Sequence, residues 1–245
     1  MVRVIFDFDN TIAQTSFHAI RKLWPSLMCN DFNQKKELLS ENANYIYDEL
    51  VSEIADISAA DYQIASSAAR RLTNTTCSVR MAKSINKMLG WNFEPLAKDK
   101  EQAGRLLKLF YTPIFYNDLP IGDGTDEDRL NLLELMAHLR SKGCKLTFCS
   151  NRRSDAFKLA EDWLLDNGLE FDEMVKVNTF DKGHIFCDND EVQNIFIDDK
   201  PECMEGKHLG KILFGNYLYQ EPHEVMNHAV NWDEAIFDIK TVIGI

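Results

Sequence analysis

The segment VRVIFDFDNT, residues 2–11, decides the fold of this 245-residue chain. It is rich in β-branched and aromatic residues without strict polar–apolar alternation, which is typical of a strand covered on both faces in a parallel sheet. The polar residues Asp7, Asp9, Asn10 and Thr11 stand at its carboxyl end. Because open α/β sheets bind ligands at the carboxyl ends of their strands, this segment predicts a parallel sheet with a functional site at its edge.

A long segment of helical character follows the first strand. From about residue 14 to residue 122 the apolar residues recur at helical spacing, as at Met81, Ile85 and Met88. The segment 14–122 is therefore predicted to be an all-helical insert. It holds 13 basic and 12 acidic residues, whereas the rest of the chain holds 14 basic and 27 acidic residues. The excess of acidic over basic residues therefore lies outside the insert.

An alternation of helices and strands resumes after the insert. The predicted helices run from Asp126 to about Lys142, from Ser154 to Asn167 and onward from about Trp232. The predicted strands are Lys145–Cys149, Glu173–Val177, Asn194–Ile197 and Lys211–Phe214. The apolar face of the first helix is predicted to consist of Leu130, Leu133, Met136 and Leu139. The pattern indicates the α/β class with a mostly parallel sheet, formed by a core of residues 1–13 and 123–245.

Four groups of polar residues follow the predicted strands. They are Asp7, Asp9 and Thr11; Ser150 and Asn151; Lys182; and the pair Asp198 and Asp199. Because the strands are mostly parallel, their carboxyl ends should meet at one edge of the sheet. Four carboxylates in one crevice need a divalent cation or cationic side chains to neutralise them, and Mg²⁺ is the hard cation that carboxylate oxygens suit. A serine hydroxyl and a lysine ammonium suit phosphate oxygens, so the groups together indicate a phosphoryl-transfer site.

In order and placement these groups resemble the four motifs of the haloacid dehalogenase superfamily. Phe6–Thr11 resembles the DxDxT motif, Leu146–Ser150 the second motif, Lys182 the third, and Ile195–Asp199 the acidic fourth. The resemblance implies a three-layered Rossmann-like core. It also implies a helical cap inserted between the first and second motifs, which is where the predicted helical insert lies.

The resemblance implies a role for each carboxylate of the first motif. Asp7 would attack the phosphorus of a phosphomonoester and become transiently phosphorylated, which divides one difficult displacement into two easier ones. Asp9 would protonate the leaving oxygen and then activate the water that hydrolyses the aspartyl phosphate. Dehalogenases of the superfamily lack this second aspartate, so Asp9 favours phosphate substrates. Thr11 would steady the loop. A member that only binds a phospho-ligand as an inactive scaffold is the remote alternative.

The remaining motif residues are implied to hold the metal and the phosphate. Mg²⁺ would bind Asp7, the backbone carbonyl of Asp9 and Asp199, with Asp198 supporting the ligands as a neighbouring acid. Asp199 is favoured over Asp198 because a glycine often occupies the position of Asp198 in relatives with a single acid. The hydroxyl of Ser150 and the amide of Asn151 would hold a phosphate oxygen, and Lys182 would shield the nucleophile. Lys176 is the alternative to Lys182 as the third-motif lysine.

The segment from Asp181 onward has a narrower resemblance, to 5′(3′)-deoxyribonucleotidases of the same superfamily. It rests on Ile195–Pro201, on the strand Lys211–Phe214 and on Asn231–Glu234. The interpretation is a small-molecule phosphatase, most closely nucleotidase-like. The alternatives are a phosphatase for a sugar or organic acid phosphate and a polynucleotide-end phosphatase. In the insert, Arg70, Arg71 and Arg80 could clamp a phosphate, although a solvated helix face is the commoner reason for such residues.

Composition limits the other possibilities. The chain has 27 basic and 39 acidic residues, a formal charge of −12, so extended nucleic-acid binding through counterion release is not expected. No apolar run reaches the length of a membrane span, and the start of the sequence does not resemble an export signal. The six cysteines form no CxxC pair, and four of them lie inside or beside apolar runs, which favours reduced, buried thiols. We expect a cytoplasmic protein, and Arg152 and Arg153 should border its site.

Overall fold

The structure is a computed structural model that describes residues 1–16, 18, 100–101, 113–116, 119–122, 125–178, 181–189, 191–215, 220 and 226–244. The chain divides into two compact units, one formed by Met1–Thr15 with Leu119–Ile245 and the other by Ser16–Asp118. The second unit includes the short helix α1, Pro113–Tyr116. The other helices predicted for the insert, together with Arg70, Arg71 and Arg80, lie outside the described residues.

The first unit is built on a six-stranded sheet whose strand pairings are parallel. Its strands are β1 (Val2–Asp7), β2 (Lys145–Ser150), β3 (Glu173–Lys176), β4 (Gln193–Asp198), β5 (Gly210–Phe214) and β6 (Asn227–Ala229). Their order across the sheet is β3-β2-β1-β4-β5-β6. The predicted α/β fold with a mostly parallel sheet is confirmed.

Strand β1 lies in the interior of the sheet and is covered on both faces. Successive residues of a strand point to opposite faces, and here Ile5 packs with Cys149 and Phe196 on one side. On the other side Phe6 lies against the rings of Phe148 and Trp232, with centroids 5.5 and 6.2 Å away. This double burial explains why β1 lacks the alternation of a half-exposed strand.

Three longer helices accompany the sheet. They are α2 (Asp126–Ser141), α3 (Ser154–Asp166) and α4 (Trp232–Ile243), and a 3₁₀ helix spans Pro201–Met204. The side chain of Thr125 accepts a hydrogen bond from the backbone N–H of Asp128 and so caps α2. In α4 the side chain of Asn231 caps Glu234 in the same way. None of the described helices is long and apolar enough to cross a membrane.

The predicted apolar face of α2 is wrong in part. The buried residues are Leu132, Leu135, Met136 and Leu139, whereas Leu130 is 58% exposed and Leu133 is half-buried. A row of residues spaced by three rotates about 60° per step around a helix, so Leu130 and Leu139 cannot share one face. The buried set follows the i, i+3, i+4, i+7 spacing that keeps an apolar stripe in place.

The cysteines in the described part of the chain are free thiols. Cys144, Cys149 and Cys203 are buried, and Cys187 is exposed. Burial raises the pKa of the Cys149 thiol to about 12, so this group stays protonated near neutral pH and behaves as a small apolar side chain.

Candidate active site

The carboxyl ends of three adjacent strands form the candidate site. Asp7 ends β1, Ser150 ends β2 and Asp198 ends β4. In the parallel register Asp7 lies opposite Cys149 of β2, and Phe6 lies opposite Ile197 of β4. Ser150, which follows Cys149, and Asp198, which follows Ile197, therefore lie at the same edge of the sheet as Asp7. The sequence predicts this placement for the polar groups after the strands.

Lys182 joins the carboxylates of two strands. Its ammonium group donates hydrogen bonds to Asp7 Oδ1 and, at 2.8 Å, to Asp198 Oδ2. All three side chains are at most 5% exposed. Burial alone would lower the pKa of Lys182, but the carboxylates of Asp198 and Asp7 outweigh it and raise the pKa well above its ordinary value. Lys182 is thus a fixed positive charge inside the site.

The alternative lysine lies elsewhere. Lys176 is the last residue of β3 and is exposed. Its ammonium group donates a hydrogen bond to Ser154 Oγ at 2.7 Å. Lys182, rather than Lys176, is the lysine that contacts Asp7.

Asp199 and Asn10 connect the fourth polar group to the first. Asn10 adopts the left-handed conformation with φ of 58°, which asparagine and glycine adopt at lower cost than other residues. Its backbone N–H donates to the carbonyl of Ala13 at 2.7 Å, and its side-chain amide donates to Asp199 Oδ2 at 3.3 Å. The loop after β1 therefore positions Asp199 as well as its own carboxylates.

Arg152 holds the carboxylate of Asp9. Its Nε donates to Asp9 Oδ2 at 2.9 Å and its Nη2 donates to Asp9 Oδ1, which gives a bidentate pair. The guanidinium is 2% exposed and lies over the ring of Phe8, 4.7 Å from its centroid. Burial pushes the pKa of Asp9 up, but the Arg152 charge outweighs it and the pKa lies below its ordinary value.

The second motif supplies buried hydrogen-bonding groups. Ser150 is fully buried, and its hydroxyl has no hydrogen-bond partner among the residues that the structure describes. Such a group normally has a partner, so Ser150 is ready to receive a ligand. Asn151 is half-buried and begins the connection to α3. Thr11 is fully buried, and its hydroxyl likewise has no partner in the described part of the chain.

The acidic residues fit a divalent cation. Oxygen atoms of Asp7, Asp198 and Asp199 all lie within 4.8 Å of one another, and the three residues are buried. With Asp9 the site holds four carboxylates against the cations of Lys182 and Arg152. The excess of two negative charges, all on oxygen donors, matches a hard divalent ion such as Mg²⁺. Both oxygens of Asp198 accept hydrogen bonds, from Lys182 and from the backbone N–H of Lys200.

Without metal, the buried acids should make stability depend on pH. Burial is the main reason that the pKa of Asp7 rises to about 7 and that of Asp198 to about 6. Between the unfolded value of 3.8 and these values, the folded state holds protons that the unfolded state has released. The free energy of unfolding in EDTA should therefore fall as the pH rises through this window, by roughly 4 kcal/mol for Asp7.

Urea unfolding at several pH values, with EDTA and with Mg²⁺, measures this effect. Asp7→Asn should flatten the slope in EDTA, and Mg²⁺ should flatten it in the wild-type protein because the metal compensates the buried negative charge. A wild-type stability that rises toward alkaline pH relative to Asp7→Asn would contradict the assignment.

Two residues of the site were underestimated or missed by the sequence analysis. The sequence places Arg152 and Arg153 alike at the border of the site, yet Arg152 contacts Asp9 directly, whereas Arg153 is exposed. The position of Arg152 between Ser150 and α3 is the sequence feature that indicates its proximity to the site. The side-chain contact between Asn10 and Asp199 joins residues 189 positions apart, and the local sequence does not predict it.

Comparisons with known proteins were made by sequence and by structure. No family profile matches the sequence, and no curated protein matches it. The crystal structure of a "putative phosphoglycolate phosphatase" from Lactobacillus delbrueckii subsp. bulgaricus is similar at 14% identity, with 98% of this chain and 97% of that chain covered and a TM-score of 0.47. A "putative beta-phosphoglucomutase" from Thermotoga maritima is similar at 14% identity, with 99% and 100% covered and a TM-score of 0.48.

Proposed function

We propose that this protein is a Mg²⁺-dependent phosphohydrolase of the haloacid dehalogenase type that acts on small phosphomonoesters. One observation carries the proposal. The carboxylate of Asp7 is buried at the carboxyl end of β1, hydrogen-bonded to Lys182 and within 4.8 Å of the acids that follow β4. A structural ion pair would not need four carboxylates, whereas a metal-assisted phosphoryl transfer needs a nucleophile, a metal site and a cation together.

The reaction proceeds in two displacements. An oxygen of Asp7 attacks the phosphorus, a new Asp7–phosphate bond forms, and the bond from phosphorus to the leaving oxygen breaks as Asp9 gives that oxygen a proton. A water molecule then attacks the phosphorus, Asp9 takes a proton from it, and inorganic phosphate leaves with Asp7 restored. Asp9 is two residues beyond the nucleophile at the same strand end, which suits a group that serves both half-reactions.

Mg²⁺ and the neighbouring groups reduce the electrostatic repulsion between the phosphate of the substrate and the carboxylates of the site. When bound by Asp7, the carbonyl of Asp9 and Asp199, Mg²⁺ supplies positive charge to the phosphate oxygens. Lys182 supplies a second positive charge beside the nucleophile. The unpartnered hydroxyl of Ser150 and the N–H of Asn151 donate hydrogen bonds to a phosphate oxygen. The N-terminus of α3, which begins at Ser154, adds the positive end of a helix dipole.

Arg152 is proposed to position Asp9 and to keep it ionised. The second displacement needs the ionised carboxylate as a base, so Arg152→Ala should slow hydrolysis of the phosphorylated Asp7 by about 100-fold. The first displacement needs Asp9 with a proton, and the incoming phosphate can draw Arg152 away because it is also an anion. The two half-reactions therefore respond differently to the loss of Arg152.

Rapid-mixing kinetics measure this difference. Arg152→Ala should release a burst of alcohol close to the enzyme concentration, and kcat should become the same for aryl and alkyl phosphates. The acid limb of its pH–rate profile should move to higher pH because the pKa of Asp9 is no longer lowered. Arg152→Lys should restore part of the rate, and Arg153→Ala is the matched control. Equal slowing at every pH without a burst would contradict the positioning role.

The direct test of the proposed function is hydrolysis of a generic aryl phosphate. Phosphate should be released with Mg²⁺ and not with EDTA, and halide should not be released from a haloacid in the same preparation. Absence of phosphate release from the wild-type protein with Mg²⁺ would overturn the proposal and favour the inactive, ligand-binding alternative.

We further propose that the substrate is a mononucleotide. The support is the resemblance from Asp181 onward to deoxyribonucleotidases. Within that segment Asn231 caps α4, and Trp232 is fully buried with its ring 4.8 Å from that of Phe214. These residues stabilise the core and do not identify the substrate. Substrate preference is therefore tested by measuring hydrolysis rates. Mononucleotides should be hydrolysed faster than sugar phosphates, with little dependence on salt. Hydrolysis of phosphorylated oligonucleotides that falls steeply with salt would instead indicate a polynucleotide-end phosphatase.

A further inference from the structure

A second group of metal-ligating side chains lies outside the candidate active site. It consists of Asp181, His184 and Glu205, each of which offers one ligand atom, and these three atoms lie within 4.8 Å of one another. His184 Nδ1 is 2.6 Å from Asp181 Oδ1. His184 and Glu205 are exposed and Asp181 is half-buried, so a cation can reach them from solvent.

Backbone contacts hold together the two segments that carry these residues. The N–H of Gly183 donates to the carbonyl of Cys203 at 2.8 Å, and the N–H of Asp188 donates to the carbonyl of Lys207 at 2.9 Å. The segments approach so closely that a Cβ at position 183 would lie 1.9 Å from the carbonyl oxygen of Glu205. The two segments that carry the ligands are therefore fixed relative to each other, which reduces the entropy that is lost when a metal binds.

The charges of the group favour a divalent cation. Asp181 and Glu205 are both carboxylates, and Glu205 forms no ion pair with a residue in the described part of the chain. The neighbouring cation, Lys182, is turned away because its ammonium group contacts Asp7 and Asp198. The group thus consists of two carboxylates and one imidazole, and no ion pair in the described part of the chain offsets the charge of Glu205.

The imidazole of His184 indicates the kind of metal. Imidazole donors suit first-row transition ions, whereas Mg²⁺ prefers oxygen ligands and retains water.

We propose that Asp181, His184 and Glu205 form a second metal site that takes a first-row transition ion such as Zn²⁺. The site shares no residue with the acidic cluster of Asp7, Asp198 and Asp199. The ion would take His184 Nδ1 and a carboxylate oxygen of Asp181 in place of the hydrogen bond that joins them. A bound ion joins the segment that carries Lys182 to the segment that follows Asp199, which ties together two sides of the candidate active site.

Calorimetric titration with Zn²⁺, in a large excess of Mg²⁺ that fills the oxygen-rich cluster, tests the proposal. His184→Ala and Glu205→Gln should each weaken zinc binding at this site by roughly 10–100-fold or remove one equivalent. His138→Ala and Glu202→Gln change the same residue types at other surface positions and should titrate like the wild-type protein.

A second measurement uses Co²⁺, whose visible absorption reports its ligands. The wild-type protein with excess Mg²⁺ should show the band intensity of a nitrogen-ligated ion, and His184→Ala should lose it. Zinc titrations and cobalt spectra that are the same in the wild-type protein, His184→Ala and Glu205→Gln would overturn the proposal. Neither measurement depends on phosphatase activity, so the metal site and the proposed function can fail separately.

Discussion

Replacing Asp7 with asparagine is expected to lower phosphatase turnover by about 10⁴-fold or more. An amide is a poor nucleophile and cannot form the phosphorylated intermediate. It also removes one carboxylate from the cluster of three that would hold Mg²⁺. Release of phosphate from an aryl phosphate, measured at saturating substrate and Mg²⁺, checks this expectation.

The variant should remain folded, which separates lost chemistry from lost structure. Burial raises the pKa of Asp7 to about 7, so an uncharged amide should be at least as stable as the carboxylate in EDTA near neutral pH. Asp166→Asn is a matched control because Asp166 is exposed at the end of α3, and it should keep wild-type turnover. If Asp7→Asn retained full turnover, Asp7 would not be the nucleophile.

Replacing Lys182 with methionine should destabilise the metal-free protein by about 3–5 kcal/mol. The substitution leaves the buried carboxylates of Asp7 and Asp198 without the ammonium group that both contact. Two buried like charges without a cation cost far more than the lost hydrogen bonds. Urea unfolding in EDTA near pH 8, above the pKa values of about 7 and about 6 that Asp7 and Asp198 have in the folded protein, measures the loss.

Two further variants identify the cause. Lys176→Met changes the exposed lysine at Ser154 and should alter the unfolding free energy by less than about 0.5 kcal/mol. Adding Asp198→Asn to Lys182→Met should recover part of the loss because it removes one of the uncompensated charges. A Lys182→Met protein as stable as Lys176→Met would show that the ammonium group is not the counter-charge of the site.

The strands and helices outside the insert were largely predictable because each has a strong local signal. β1, β2 and β4 are apolar runs that end in acids or serine, and α3 ends before the glycine at position 168. β6 was not predicted, since Asn227–Ala229 is only three residues long and has no β-branched residue. The apolar face of α2 was misjudged because its sequence offers two overlapping rows of leucines.

The location of the candidate site residues at the ends of strands was predictable from the sequence, but the contacts between their side chains were not. The sequence left Lys182 and Lys176 as alternatives, and only the fold brings Lys182 to residues 175 and 16 positions away. The contact of Arg152 with Asp9 spans 143 positions. Electrostatic partners of this kind depend on strand order, which local patterns do not encode. The residues of the insert that would choose a substrate lie outside the described part of the chain.

The interior position of β1 has a consequence for how the protein is made. The ribosome produces β1 first, yet its two neighbours, β2 and β4, begin only at Lys145 and Gln193. At 5–20 residues per second, the second neighbour is complete roughly 10–40 s after β1. For that time at least one edge of this apolar strand has no partner strand, and segments of this kind are bound by chaperones and are prone to aggregate. β1, which is enclosed on both edges in the folded protein, is therefore the strand with the longest interval between its own synthesis and the synthesis of both its neighbours.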